Sequence, residues 1–137
     1  MTTALDSAVL IDLFQEEPLR GAQAADAIDM AIRSGRVIAC DVVWAEVAGR
    51  FPSGEVMTAA MRELGVEFDA MPEAAATGAG RLWRTYRKTG GARRDRIVPD
   101  FLIGAHALDR ADTLLTRDRG FYRRYFKALR IVEPRTP

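Results

Sequence analysis

Residues 97–108 read Ile-Val-Pro-Asp-Phe-Leu-Ile-Gly-Ala-His-Ala-Leu, a helical stretch that is apolar almost all the way round. A helix without a polar face must be covered on every side, so other structure has to pack around it in layers. Pro99 suits the first turn, where its missing N–H would have had no intrahelical partner. Asp100, next to it, sets a carboxylate at the positive end of the helix. Complementing the helix dipole is its plain role. A second role opens if other carboxylates reach the same point.

Short strands and helices supply the covering layers. Val37-Ile38-Ala39-Cys40 is a continuous apolar run, the mark of a parallel strand buried on both faces. Ala4-Leu5 predicts a brief first strand, residues 66–69 a third, 112–116 a fourth and Arg130–Val132 a fifth. Helical spacing predicts a helix through Val9, Leu10, Leu13 and Phe14, capped by Asp6 or Ser7 and ended by Pro18. A second helix covers Arg20–Ser34 and stops at Gly35. A third, capped by Asp41, carries Val43, Trp44, Glu46 and Val47. After the break at Pro52-Ser53-Gly54 another helix runs to Leu64, and a long one runs from Pro72-Glu73 through Lys88. Residues 117–120 predict a turn, and 121–126 a short aromatic and basic helix. Residues 89–96, rich in glycine and arginine, predict a surface loop. Strands alternating with helices specify an α/β fold with a mostly parallel sheet, and residues 1–137 are expected to form one domain.

Composition narrows the function. The single cysteine, Cys40, excludes an internal disulfide and a cysteine-rich metal site. No apolar run approaches the roughly 18 residues of a membrane span, and no signal peptide is visible, so a cytoplasmic protein without membrane contact is expected. The net charge of +1 hides an asymmetry: residues 1–80 hold thirteen acids against five bases, residues 81–137 fifteen bases against six acids. Most of those bases are arginines, which suit bidentate contact with phosphate.

In open parallel sheets, functional groups gather at the carboxyl ends of the strands. Asp6 follows the first predicted strand, Glu46 lies one turn beyond the second and Asp118 follows the fourth. Asp100 joins them from the apolar helix. Crowded carboxylates repel unless a cation lies among them. With oxygen donors and no histidine or cysteine cluster, that cation is a hard one, Mg²⁺ or Mn²⁺. Two such ions about 4 Å apart stabilise the attacking and leaving oxygens of a phosphodiester. Basic residues at 84–96 and 117–127, among them Arg93, Arg94, Arg96, Arg117 and Arg119, would hold the flanking backbone phosphates. The loop arginines serve a protein partner equally well. His106 lies about 600° of helical rotation past Asp100 and so faces away from it. Packing or solvent exposure is expected there, and Asp12 is expected to be a surface acid.

Four motifs carry a family resemblance. Leu5-Asp6-Ser7-Ala8-Val9-Leu10-Ile11-Asp12 resembles the opening motif of PIN-domain nucleases, and Trp44-Ala45-Glu46-Val47 resembles their second. Pro99-Asp100-Phe101-Leu102-Ile103-Gly104-Ala105-His106-Ala107 is similar to the third, and Leu115-Thr116-Arg117-Asp118 with Phe121 to the fourth. A chain this compact looks most like the VapC toxins of type II toxin–antitoxin pairs. The resemblance implies a three-layer α/β/α sandwich around a five-stranded sheet, Mg²⁺-dependent RNA cleavage, a homodimer and inhibition by a VapB-type antitoxin. Carried over by position, Asp6, Glu46, Asp100 and Asp118 match the acidic ligands. Ser7 and Thr116 match supporting hydroxyls, and Gly120 stands where some members have a further acid. The antitoxin segment is expected on the apolar helical surface of residues 10–14 and 48–60.

Two other classes remain open on the residues alone. One is a PIN-like module that binds RNA or protein without turnover. The other is a phosphoacceptor receiver domain, which needs paired acids near the first strand and a late lysine near the site. Asp6 is followed by Ser7, and Lys127 is the only late lysine.

Overall fold

The computed structural model describes residues 1–89 and 97–135. Its strands are β1 (Thr2–Leu5), β2 (Arg36–Ala39), β3 (Val66–Phe68), β4 (Thr113–Leu115) and β5 (Arg130–Val132). They form one sheet in the order β3-β2-β1-β4-β5, with every neighbouring pair parallel. The central strands are buried on both faces, as their apolar runs require, while the edge strands β3 and β5 are mostly exposed.

The helices are α1 (Ser7–Phe14), α2 (Arg20–Ser34), α3 (Asp41–Ala48), α4 (Gly54–Leu64), α5 (Glu73–Lys88), α6 (Ile97–Arg110) and α7 (Arg119–Tyr125). Chain order steps from β1 outward to β2 and β3, then returns across the sheet to β4 and β5. Right-handed crossovers therefore put α1–α4 on one face and α5–α7 on the other, which gives three layers. The reversal makes the gap between β1 and β4 a topological switch point, where crevices open at the carboxyl ends of the strands.

Local chemistry sets the helix ends. Ser53 caps α4 by accepting a hydrogen bond from the Val56 N–H at 3.2 Å. Gly65, at φ +91°, ends it in the left-handed conformation that glycine adopts without a steric penalty. The helix α6 starts at Ile97, two residues ahead of Pro99, which still lies within the first turn. Asp41 is the first residue of α3 and not its cap; Cys40 holds the cap position without a side-chain bond. Gly120, expected in a turn, lies inside α7. Residues 90–96 of the expected surface loop lie outside the described residues.

The apolar helix is covered as its composition demands. Phe101 and Ala107 of α6 are fully buried and Ile103 nearly so. Burial of a side chain such as Phe or Ile stabilises the fold by about 1.5–3 kcal/mol. Phe101 sits at the centre of an aromatic cluster, with ring centroids 5.8 Å from Tyr86, 5.1 Å from Phe121 and 5.2 Å from Tyr125. That cluster locks α5, α6 and α7 together directly beneath Asp100. At Gly104 the close neighbour is the Phe126 ring, whose atoms would lie 2.3–2.7 Å from an added Cβ. The helix surface is hollowed there to admit that ring.

Candidate active site

Backbone hydrogen bonds extend the sheet one residue past its strands. The Asp6 N–H donates to the Leu115 carbonyl at 3.0 Å, and the Thr116 N–H donates to the Val132 carbonyl at 3.0 Å. Asp6 and Thr116 are thereby fixed side by side at the switch point. Asp6 is 4% exposed, and each carboxylate oxygen has a donor: the Ser7 N–H reaches Oδ1 at 2.8 Å, and the Thr116 hydroxyl reaches Oδ2 at 2.7 Å. Asp6 is thus both the cap of α1 and a fixed acid in the crevice.

Two hydroxyls extend this centre to further acids. Ser7 Oγ donates to Glu46 Oε1 at 2.8 Å, tying the head of α1 to the half-buried Glu46 of α3. Thr116 Oγ1, while donating to Asp6, accepts from the Asp118 N–H at 3.0 Å. Asp118 precedes α7 but its side chain does not cap that helix. Its backbone is therefore pinned to the same threonine that holds Asp6. Asp100 is 3% exposed at the head of α6. The helices α3 and α6, which carry Glu46 and Asp100, pack on each other. Three of the four expected acids are joined through Ser7 and Thr116, and Asp100 is buried at the head of α6.

The donors are carboxylates and hydroxyls alone, a set whose chemistry fits a hard divalent cation. Among the described residues, no three acid, histidine or cysteine side chains are gathered into a preformed ion-holding group. The acids are held on separate elements, not closed into a cage.

The expected phosphate-binding arginines separate. Arg117 Nε lies 2.6 Å from Asp12 Oδ2, and Arg119 Nη1 lies 3.1 Å from Glu133 Oε1. Arg93, Arg94 and Arg96 lie outside the described residues. Asp12, expected at the surface, is 6% exposed under Arg117. Nothing in local spacing announces that pair, because its partners are 105 residues apart.

A second polar centre escaped the sequence reading. His106 is 1% exposed, and its Nε2 lies 2.8 Å from Asp69 Oδ2. Arg110 grips both oxygens of the same carboxylate at 3.0 Å. Hydrogen bonding from Arg110, reinforced by His106, holds the Asp69 carboxyl down at about 2. Asp69, at the carboxyl end of β3, thereby clamps the lower half of α6. Burial pushes the Cys40 thiol up, as expected for a small buried hydrophobe.

The PIN domain family profile matches residues 3–127. This chain belongs to the PIN-domain family. The chain is similar in fold to VapBC2 from Rickettsia felis, solved bound to a DNA fragment from its promoter. That structure has 16% identity, a TM-score of 0.73 and coverage of 97% of this chain and 98% of the other. VapBC-1 from nontypeable Haemophilus influenzae gives 20% identity, a TM-score of 0.70 and coverage of 97% and 98%. The Sarcin-Ricin loop cleaving toxin VapC20 from Mycobacterium tuberculosis gives 14% identity, a TM-score of 0.63 and coverage of 93% and 98%. No curated protein sequence matches the chain. The five-stranded parallel sheet and flanking helices agree with the α/β sandwich expected from the motifs. Among the described residues, no helix is long and apolar enough to cross a membrane.

Proposed function

We propose that this protein is the endoribonuclease toxin of a type II toxin–antitoxin pair, inhibited by a VapB-type antitoxin and active as a homodimer. The observation that carries the reading is the buried Asp6 carboxylate at the switch point, held by Thr116 and joined through Ser7 to Glu46. Asp6, Glu46, Asp100 and Asp118 would hold Mg²⁺ or Mn²⁺. When bound, such an ion supplies Lewis acidity toward a phosphodiester oxygen and lowers the pKa of a coordinated water. The chain's own part is orientation. Ser7 and Thr116 fix the carboxylates of Glu46 and Asp6, so little reorganisation is needed on loading. The aromatic cluster beneath Asp100 fixes the head of α6 in the same way.

An apolar groove between α1 and α3 supports the antitoxin assignment. It encloses about 230 Å³ and is lined by Ile11, Phe14, Val47, Phe51 and Pro52. Val47 follows Glu46 directly, so a peptide seated there would lie beside the acids.

Cleavage of RNA by the purified protein with Mg²⁺, with EDTA and as Asp100→Asn tests the proposal. Cleavage requires the metal and is lost in the variant. Persistent cleavage in EDTA, or full activity of the variant, overturns the metal mechanism. RNA binding without turnover by the parent would instead identify a non-catalytic module.

A further inference from the structure

Some bases of this chain lie on acids, while others, spread over several elements and including Arg50, Arg62 and Arg84, are exposed with no acid at ion-pair distance among the described residues. Arg36 lies on Glu67, Arg110 on Asp69, Arg117 on Asp12 and Arg119 on Glu133. Arg81, Arg123, Lys127 and Arg130 are exposed, and among the described residues none has an acid at ion-pair distance. The fold collects these four around one ring. Phe126 lines a cavity of about 420 Å³ with Arg81, Leu82 and Leu108. It also lines a cavity of about 520 Å³ with Arg123, Lys127, Leu129 and Arg130. Asp109 is the one acid on either lining.

Beneath this face the buried rings join α5, α6 and α7, and the cavity beside Arg81 is lined by the later half of α6, at Ala105, Leu108 and Asp109. Phe101, which follows Asp100, touches Tyr86 of α5, Tyr125 of α7 and Phe126, with ring centroids 5.8, 5.2 and 6.4 Å away. From there the cations descend α7 to the outer edge of β5. A seven-residue helix spans about 10 Å, enough for a few consecutive phosphates.

We propose that the face formed by Arg81, Arg123, Lys127 and Arg130 binds the backbone of a single-stranded RNA along α7 and the start of β5. The proposal rests on the nuclease reading above and names the surface that its substrate follows. Unpaired cations spread along a path suit a polyphosphate, and arginines match phosphate oxygens bidentately. A twofold self-contact through this face would set the same cations against each other, which disfavours a second copy as the occupant.

Fluorescence anisotropy with a labelled single-stranded RNA, in EDTA to prevent turnover, measures binding between 50 and 200 mM salt. The variant Arg123→Gln/Lys127→Gln/Arg130→Gln loses three phosphate contacts. Its log–log salt slope is then shallower by about 2, and the parent's affinity falls about 20-fold further over that range. Arg20→Gln/Arg33→Gln/Arg36→Gln removes equal charge from acid-paired sites and keeps the parent slope. An unchanged slope in the first variant, or an equal change in the second, overturns the proposal. Weakened capture of the purified antitoxin with an unchanged RNA slope also overturns it and assigns the face to an acidic peptide. The nuclease reading fails separately, through absence of Mg²⁺-dependent cleavage by the parent.

Discussion

Thr116 donates its hydroxyl to Asp6 at 2.7 Å and joins the ends of β4 and β1 across the point where the chain reverses direction. The same oxygen accepts the Asp118 N–H at 3.0 Å, so one side chain sets two of the four acids. Thr116→Val keeps the shape but leaves the Asp118 N–H and one Asp6 oxygen without their partner. RNA cleavage is expected to fall 10–100-fold, on the order seen when a partner orienting a metal ligand is lost. Folding stability is expected to fall by about 1–3 kcal/mol. Thr116→Ser retains the donor and restores most of the activity. Equal activity of the Val and Ser variants would remove the hydroxyl from the account.

Gly104 is expected to be intolerant of even one added carbon. An Ala Cβ there would lie 2.3 Å from the Phe126 ring, closer than packed atoms approach. Relieving that clash requires α6 or α7 to shift, at a cost of about 1–3 kcal/mol. Gly104→Ala is therefore expected to lower the urea midpoint, and Phe126→Leu in the same chain to recover part of the loss. A midpoint unchanged by Gly104→Ala would show that the ring moves aside freely.

The sequence was legible wherever one residue's neighbours decide its role. Hydrophobic alternation and Pro/Gly punctuation located the helices and strands, and Arg20–Ser34 and Arg130–Val132 match to the residue. Asp6, Asp100 and Asp118 could be placed at strand ends and a helix head because those are local features. Pairings between distant residues were not legible. Asp12 looks like any helical acid until the fold sets Arg117 over it. His106 was correctly turned away from Asp100, but its partner Asp69 lies 37 residues earlier on another element. Which arginines face acids and which face solvent is likewise decided by tertiary packing alone.

The Asp12–Arg117 pair is expected to couple α1 to the segment that carries Asp118. Asp12 is nearly buried while Arg117 stays about one-third exposed, so solvent screens part of the attraction. A double-mutant cycle with Asp12→Asn and Arg117→Gln is expected to give a coupling of about 1 kcal/mol in stability. Arg117→Gln alone should leave the salt dependence of RNA binding close to that of the parent, because its charge is already neutralised. A slope reduced as much as that of the Arg123 variants would place Arg117 on RNA instead.

Asp69 sets an acid limit on stability. Its carboxyl is held below the ordinary value of 3.8, at about 2, chiefly by Arg110 and then by His106. A carboxyl depressed in the folded state contributes stability above its unfolded pKa and loses it as pH falls through the folded value. The Asp69 side chain is 10% exposed but its main partner Arg110 is 46% exposed, so solvent screens part of the pairing, which contributes about 1 kcal/mol at neutral pH. Asp69→Asn is therefore expected to be less stable by about that amount from pH 7 down to about 4. Below that, the parent weakens toward the variant, and their urea midpoints converge near pH 2. A gap that stays constant down to pH 2 would mean that the clamp acts through shape and hydrogen-bond number, not through the charge on Asp69.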